Sequence, residues 1–235
     1  MGDDAPQDAR PLTILSYNLW HGKAQRELGP LVDAHDPDVL CVQEASSASL
    51  PQRLGALQLA VTTTRNRLAV ALYTKAARFE IESAHSYNLA VTRHDRLVGG
   101  TEQRLAAARV NDTVESRRVV LGSFHATPFT DSNAARRRSV DEAHAHLTEL
   151  GPGMPALMAG DYNHPIQLFM LRLHLARQGV TLASTPTGTF HREGNLMRGK
   201  FDLASMTGLT VVSAAALPQG ASDHKPVLFT AKYSD

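Results

Sequence analysis

Short apolar runs recur along this chain, and four of them stop on a residue able to hold a metal, a proton or a phosphate. Leu12 to Tyr17 ends at Asn18, Val39 to Gln43 at Glu44, Arg117 to Phe124 at His125, and Pro155 to Ala159 at Gly160-Asp161. Runs of this length and composition predict strands. Each polar end, taken singly, is as readily a turn or a helix cap. Four together predict one chemically equipped edge of a sheet, where clefts form.

The other segments set the fold class. Ala24 to His35 predicts a helix with Leu28, Leu31 and Val32 on one face, stopped by Asp36-Pro37-Asp38. Ser49-Leu50-Pro51 predicts the start of a short helix. Ser132-Asn133 caps a helix to about Leu150, with Val140, Ala143, Leu147 and Leu150 at helical spacing. Ile166 to Arg177 predicts another. Further strands are expected at Gln58 to Thr64, Arg67 to Tyr73, Phe79 to Ser86, Arg104 to Val110, Phe201 to Met206, Leu209 to Ala216 and Pro226 to Lys232, with Arg65-Asn66 as one joint and Gly99-Gly100 in a polar loop. Strict strand–helix alternation is missing. That predicts an α/β sandwich with mixed sheets over a doubly wound parallel sheet.

Composition bounds the rest. A chain of 235 residues, 43% hydrophobic and 20% charged, predicts a single domain over residues 11–235 behind a flexible lead at 1–10. A net charge of +1 argues against coating nucleic acid by bulk electrostatics, but leaves room for a local basic patch. The single Cys41, in an apolar run, reads as buried filler and excludes a Cys-rich zinc site. No membrane segment or secretory leader is found, so a cytoplasmic monomer is expected, with a mature secreted domain as the alternative.

Three motifs carry chemistry. In Gly160-Asp161-Tyr162-Asn163 the glycine permits an abrupt turn, and the spacing can send the carboxyl and amide to one side. An acid able to take a proton from water, beside an amide able to hold a phosphate oxygen, suits hydrolysis. In Ser222-Asp223-His224-Lys225-Pro226-Val227 adjacent side chains diverge, so Asp223 and His224 read as separate contributors, to metal or water and to phosphate. Gln43-Glu44 offers a carboxylate to a hard cation such as Mg²⁺ or Mn²⁺. Gly-x-Ser-x-Gly and His-Glu-x-x-His are absent. His144 and His146 have the wrong spacing to share a metal. Arg136-Arg137-Arg138 reads as a solvated helix face slightly ahead of a polyanion contact. Trp20-His21 reads equally as a substrate contact or as packing.

In this order, Ser16-Tyr17-Asn18-Leu19, Val42-Gln43-Glu44, Ser123-Phe124-His125-Ala126-Thr127-Pro128, Gly160-Asp161-Tyr162-Asn163, Phe201-Asp202 and Ser222-Asp223-His224-Lys225-Pro226 resemble the endonuclease/exonuclease/phosphatase superfamily. The resemblance implies two packed mixed β-sheets flanked by helices, a four-layer sandwich. It implies Glu44 as metal ligand with Asn18 beside it, and Asp223 as a further metal-side carboxylate. It implies Asp161 on the attacking water, Asn163 on phosphate, and His224 against the phosphate oriented by Asp202. His125 resembles the second histidine of the deoxyribonuclease-like members, without their supporting acid, since the matching stretch is Arg65-Asn66-Arg67-Leu68. Arg104 matches a family arginine and is a phosphate contact or a surface charge at even odds. Phe201-Asp202-Leu203 keeps the family's Asp and departs after it.

The expected activity is divalent-metal-dependent phosphoester hydrolysis, with nucleic acid as the first substrate. A small-molecule or lipid-headgroup phosphoester is the alternative, and a non-catalytic binding domain stands behind both. Membrane docking would be expected from an exposed aromatic hairpin, and the sequence offers none.

Overall fold

The computed structural model describes residues 10–64, 68–89, 103–127, 131–164, 166–191 and 198–234. One sheet is built from β1 (Leu12–Asn18), β2 (Val39–Ala45), β3 (Arg53–Leu54), β4 (Leu57–Thr62), β5 (Ala69–Lys75), β14 (Leu209–Ala216) and β15 (Val227–Tyr233). Its order is β14-β15-β1-β2-β5-β4-β3. The second contains β6 (Phe79–Asn88), β7 (Gln103–Asp112), β8 (Arg117–His125), β9 (Ala156–Asp161), β10 (Thr181–Ser184) and β13 (Asp202–Thr207), in the order β10-β13-β9-β8-β7-β6. A small ribbon pairs β11 (Phe190–His191) with β12 (Arg198–Gly199). Both large sheets are mixed: β1–β2 and β8–β9 run parallel, and their other pairs run antiparallel.

Three apolar clusters separate four layers. Leu12, Ile14, Val39 and Cys41 face Val119, Leu121, Leu157 and Ala159 between the sheets. Their neighbours in sequence point the other way. Leu15, Tyr17, Leu40 and Val42 pack with Leu28 and Val32 of α1 (Leu28–His35). Leu105, Val120 and Met158 pack with Val140, Ala143 and Leu147 of α2 (Asn133–Leu150) and Leu171 and Leu175 of α3 (Leu168–Ala176). The strands are therefore apolar on both faces, which is why they read as continuous runs rather than as alternating patterns. Cys41 is buried filler as expected, and burial pushes its thiol up to about 12.

Several boundaries differ from expectation. Ser49-Leu50-Pro51 opens no helix. A 3-10 turn at Ser47–Ser49 gives way to extended chain, whose Pro51 carbonyl accepts the Tyr73 hydroxyl at 2.9 Å and whose Gln52 carbonyl accepts the Leu59 amide. Pairing onto β4 outweighs the local signal. The helix expected from Ile166 starts at Leu168, because Gln167 is left-handed with φ 61°. The lead at 1–9, the Arg65-Asn66 joint, the Gly99-Gly100 loop, Pro128 and Pro165 lie outside the described residues.

At one end of the sandwich the sheets are bolted together. The buried Arg78 guanidinium bonds Asp38 just before β2 (3.0 Å), Asp112 at the end of β7 (2.9 Å) and the carbonyls of Arg10 and Pro11. Tyr233, at the end of β15, donates to the same Asp112 at 3.0 Å. The guanidinium is thus matched by two carboxylates and two carbonyls, as a buried arginine requires. Strands β1 and β2 run from this end to the other, where Asn18 and Glu44 sit.

Candidate active site

The opposite end gathers polar residues from both sheets. From the first come Asn18, which pairs in register with Gln43, and the adjoining Glu44. From the second come three neighbours in register, His125, Asp161 and Asp202, on adjacent strands β8, β9 and β13. His224 arrives on the segment leading into β15. The sandwich thus supplies one polar edge from two walls.

Local backbone geometry aims each side chain. Glu44 has φ 53°, and the β2–β5 register slips between Val42 and Ala45. This bulge lets Gln43 turn inward to donate to Ser123 Oγ at 3.1 Å, while Glu44 reaches the edge. Trp20, His21 and Gly22 follow with φ 46°, 57° and 77°. That left-handed turn points two amides at the site: Trp20 N–H donates to Asn18 Oδ1 and His21 N–H to Glu44 Oε2, each at 3.0 Å. Strained non-glycine backbone of this kind persists only where surrounding contacts fix it. Gly160 allows β9 to lie against β8, since a Cβ there would stand 1.8 Å from the Phe124 carbonyl oxygen.

Asn18 is the bridge. Its Nδ2 donates to Asp161 Oδ2 at 2.9 Å and reaches Glu44 Oε1 at 3.4 Å. Asp161 Oδ1 accepts the Asn163 amide at 2.8 Å. The Asn163 side chain donates to the Ala126 carbonyl at 3.4 Å, and Arg104 Nη1 donates to the same oxygen at 3.2 Å. Arg104 is therefore neither a surface charge nor open to solvent: it lies buried behind His125. His125 Nε2 faces Glu44 Oε1 at 3.7 Å and Asp161 Oδ2 at 3.8 Å. Burial first, then the Arg104 charge, pushes its pKa below the ordinary histidine value against the pull of Glu44.

His224 and Asp202 form a closed pair. The imidazole Nδ1 meets Asp202 Oδ2 at 2.9 Å, and Nε2 faces Asp161 Oδ2 at 3.6 Å. Phe190 and Phe201 stand edge-on to the ring. Burial disfavours a charged imidazole, yet the Asp202 and Asp161 carboxylates outweigh it and raise His224 to about 10. Nδ1 therefore carries a proton and donates to Asp202. Asp161 moves in the opposite sense to a usual carboxylate: burial raises it to about 7, helped by Asp202 and opposed by His224.

The supports beneath these groups are ones sequence reasoning missed. Ser222 Oγ donates to the Asn18 carbonyl at 2.7 Å and accepts the His224 amide at 3.1 Å, tying the segment before β15 to the end of β1. Thr189 Oγ1 accepts the Phe201 and Asp202 amides at 3.0 and 3.1 Å. Glu27 accepts the Tyr17 hydroxyl and the Ala221 amide, both at 2.7 Å. Ser222 stood inside a noticed motif. Thr189 and Glu27 lie in unremarkable polar stretches and carried no signal. Of the residues set aside, Arg136 is buried rather than solvated, while Arg138 is exposed. His144 bonds Ser205 at 2.9 Å and His146 bonds Glu149 at 3.2 Å, so the two do not converge.

The residues fit a divalent cation on the Glu44 side. Among the described residues, Glu44 Oε1 meets its polar partners Asn18 and His125 at 3.4 and 3.7 Å, longer than good hydrogen bonds, and a hard cation wants such an oxygen. Asp161, Asp202 and His224 also bring ligand-capable atoms within 4.8 Å of one another. There, however, the 2.9 Å bond to Asp202 takes His224 Nδ1, and the raised pKa of the ring keeps a proton on Nε2, so Glu44 with Asn18 is the better cradle. Asp223 is buried, with its carbonyl accepting the His191 amide. Its expected place among the metal ligands is not part of either grouping.

Many solved structures share this fold, among them the following three. An endonuclease/exonuclease/phosphatase family protein from Bacteroides thetaiotaomicron is 16% identical, with 97% of this chain and 99% of that one covered and a TM-score of 0.77. The mannosyl-6-phosphatase of Bacteroides thetaiotaomicron VPI-5482 is 17% identical, with coverage of 94% and 100% and a TM-score of 0.75. D. rerio TDP2, complexed with single-strand DNA product, is 15% identical, with coverage of 94% and 99% and a TM-score of 0.73. No curated protein matches the chain. The family model described as Endonuclease/Exonuclease/phosphatase family matches residues 15–224, a span that holds every strand-end residue of the site from Asn18 to His224, and the chain belongs to that family.

Proposed function

We propose that this chain hydrolyses phosphoester bonds with Mg²⁺ or Mn²⁺ held at Glu44 and Asn18. The observation that supports it best is the placement of Asp161 Oδ2 against Nε2 of a His224 ring that Asp202 holds at 2.9 Å. Asp161 is raised to about 7 while His224, 3.6 Å away, is raised to about 10. Both shifts run upward, so near neutral pH His224 keeps its proton while Asp161 can lose or accept one, which divides acid and base roles. Asp161 is the group able to take a proton from the attacking water near neutral pH. His224 keeps its proton and presents Nε2–H to the phosphate, with Asp202 fixing the ring. Asn163 holds a phosphate oxygen, and His125 stands by the leaving group with Arg104 behind it. The cation, when bound, neutralises charge developing on the phosphate oxygens.

Nucleic acid is the substrate the sequence points to, and Arg137 and Arg138 at the start of α2 would suit its backbone. One structural relative, D. rerio TDP2, carries single-strand DNA product, whereas another is a mannosyl-6-phosphatase. A second reading, a phosphoester at a lipid surface, is favoured by exposed apolar side chains on α3, which starts five residues beyond Asn163. Plasmid, single-stranded DNA, RNA and phospholipid vesicles should each be incubated with Mg²⁺, Mn²⁺ or chelator. Metal-dependent release of product from any of them supports the hydrolase reading. Absence of turnover on all of them, with every metal, ends it.

A further inference from the structure

Among the described residues seven large hydrophobic side chains are exposed, and four fall within one stretch: Ile166 (66%), Phe169 (71%), Met170 (50%) and Leu173 (38%). The clustering is geometric. Leu171 and Leu175 turn one face of α3 into the core, so Phe169, Met170 and Leu173 project from the other. Ile166 precedes the helix on the same loop as Asn163. An apolar stripe beside a catalytic edge marks an interaction surface rather than ordinary scatter.

The charge around the stripe narrows its occupant. Asn133 Nδ2 at the start of α2 donates to Gln167 Oε1 at 3.3 Å, which fixes the head of α2 beside the head of α3. Arg138 is exposed there and Arg137 half-exposed, and Arg177 closes the far end of α3. Asp141, the nearest acid on α2 facing α3, is already bound to His174 at 2.7 Å. A second copy meeting this face about a two-fold axis would bring like charges together. A nucleic acid would find one aromatic ring and three aliphatic side chains, whereas base stacking needs aromatic platforms. Aliphatic and aromatic side chains edged by arginine match the boundary of an anionic bilayer.

We propose that the outward face of α3, with Arg137 and Arg138, docks the protein on an anionic lipid surface and presents the catalytic edge to phosphoester headgroups there. This rests on the hydrolase reading of the site, and the docking step is testable apart from it. The protein is sedimented in EDTA, without turnover, with vesicles of phosphatidylcholine alone or mixed with phosphatidylserine. Wild type should pellet with the mixed vesicles and much less with phosphatidylcholine alone, and added salt should release it. The double variant F169S/M170S should weaken partitioning at least about tenfold while keeping its melting temperature. R138E should weaken binding to mixed vesicles only. Wild type that stays in solution with mixed vesicles, or a double variant that pellets as well as wild type, overturns the proposal. So does wild type sedimenting as a dimer that the double variant makes monomeric, or a variant that loses single-stranded DNA binding while keeping vesicle binding. A protein that docks as described but hydrolyses no phosphoester would remove the hydrolase reading alone.

Discussion

Replacing Gly160 by alanine tests how β9 positions Asp161. The added Cβ would lie 1.8 Å from the Phe124 carbonyl oxygen and 2.8 Å from its carbon, and contacts below 3.0 Å do not persist. Strands β8 and β9 must therefore part by roughly 1.2 Å at the pair Phe124–Gly160, beside His125–Asp161. The parting lengthens the 2.8 Å bond from Ala126 N–H to the Asp161 carbonyl and leaves buried backbone groups unmatched. One lost buried hydrogen bond plus overpacking strain comes to about 3–5 kcal/mol. For a domain of this size that is a fall in melting temperature on the order of 10 °C. Gly153 is the control: its φ is 72° and nothing lies within 4 Å of a built Cβ, so alanine there meets only the left-handed backbone penalty of about 1–2 kcal/mol. Thermal unfolding of both variants, with hydrolysis measured well below either transition, separates the two effects. The Gly160 variant should lose activity even where it is folded, because Asp161 shifts against His125 and His224. If it melts within a degree or two of the Gly153 variant, the close approach of the strands is not what requires glycine.

Three other perturbations probe different parts of the molecule. Asp202→Asn keeps the shape of the 2.9 Å contact but removes the charge that sustains the His224 imidazolium, so kcat should fall about 10²–10⁴-fold with little change in folding, as single-turnover rates would show. Glu44→Gln removes a charged oxygen from the proposed cation cradle and should raise the Mg²⁺ concentration for half-maximal rate at least roughly tenfold; an unchanged metal titration would move the cation elsewhere. Burial pushes His144 down to about 4, so the folded protein refuses a proton that the unfolded chain accepts. Stability is then complete above the ordinary value of about 6.5 and falls as pH drops from there towards 4, by up to roughly 1.4 kcal/mol per pH unit; His144→Gln should flatten that decline in a melting-temperature series.

The strand ends were readable because burial on both sheet faces demands unbroken apolar runs, so the first polar residue marks the edge. That logic brought Asn18, Glu44, His125 and Asp161 together without knowledge of strand order. His224 was readable from its motif, but Asp202 and its pairing with His224 needed the resemblance, since nothing local says that residues 22 apart will share a 2.9 Å bond. The burial of Arg104 was not legible: one of its partners is the Ala126 carbonyl, and a backbone acceptor leaves no mark in sequence. Ser49-Leu50-Pro51 misled because capping chemistry is local, while the pairing of that segment with β4 and Tyr73 is not. The α3 stripe was hidden for a related reason. Ile166, Phe169, Met170 and Leu173 look like core residues, and only the burial of Leu171 and Leu175 shows which face points outward.

The Arg78 bolt has a practical consequence. Through Arg10, Pro11 and Tyr233 it gathers the entry to β1 and the exit from β15 at one pole, the whole length of those strands away from Asn18 and His224. A fusion partner, an affinity handle or a solid support joined through residue 10 or residue 234 would therefore trail from the back of the sandwich. Immobilised in that orientation, the protein would hold its candidate active edge towards the bulk phase, open to a polymer, a vesicle or a sensor surface.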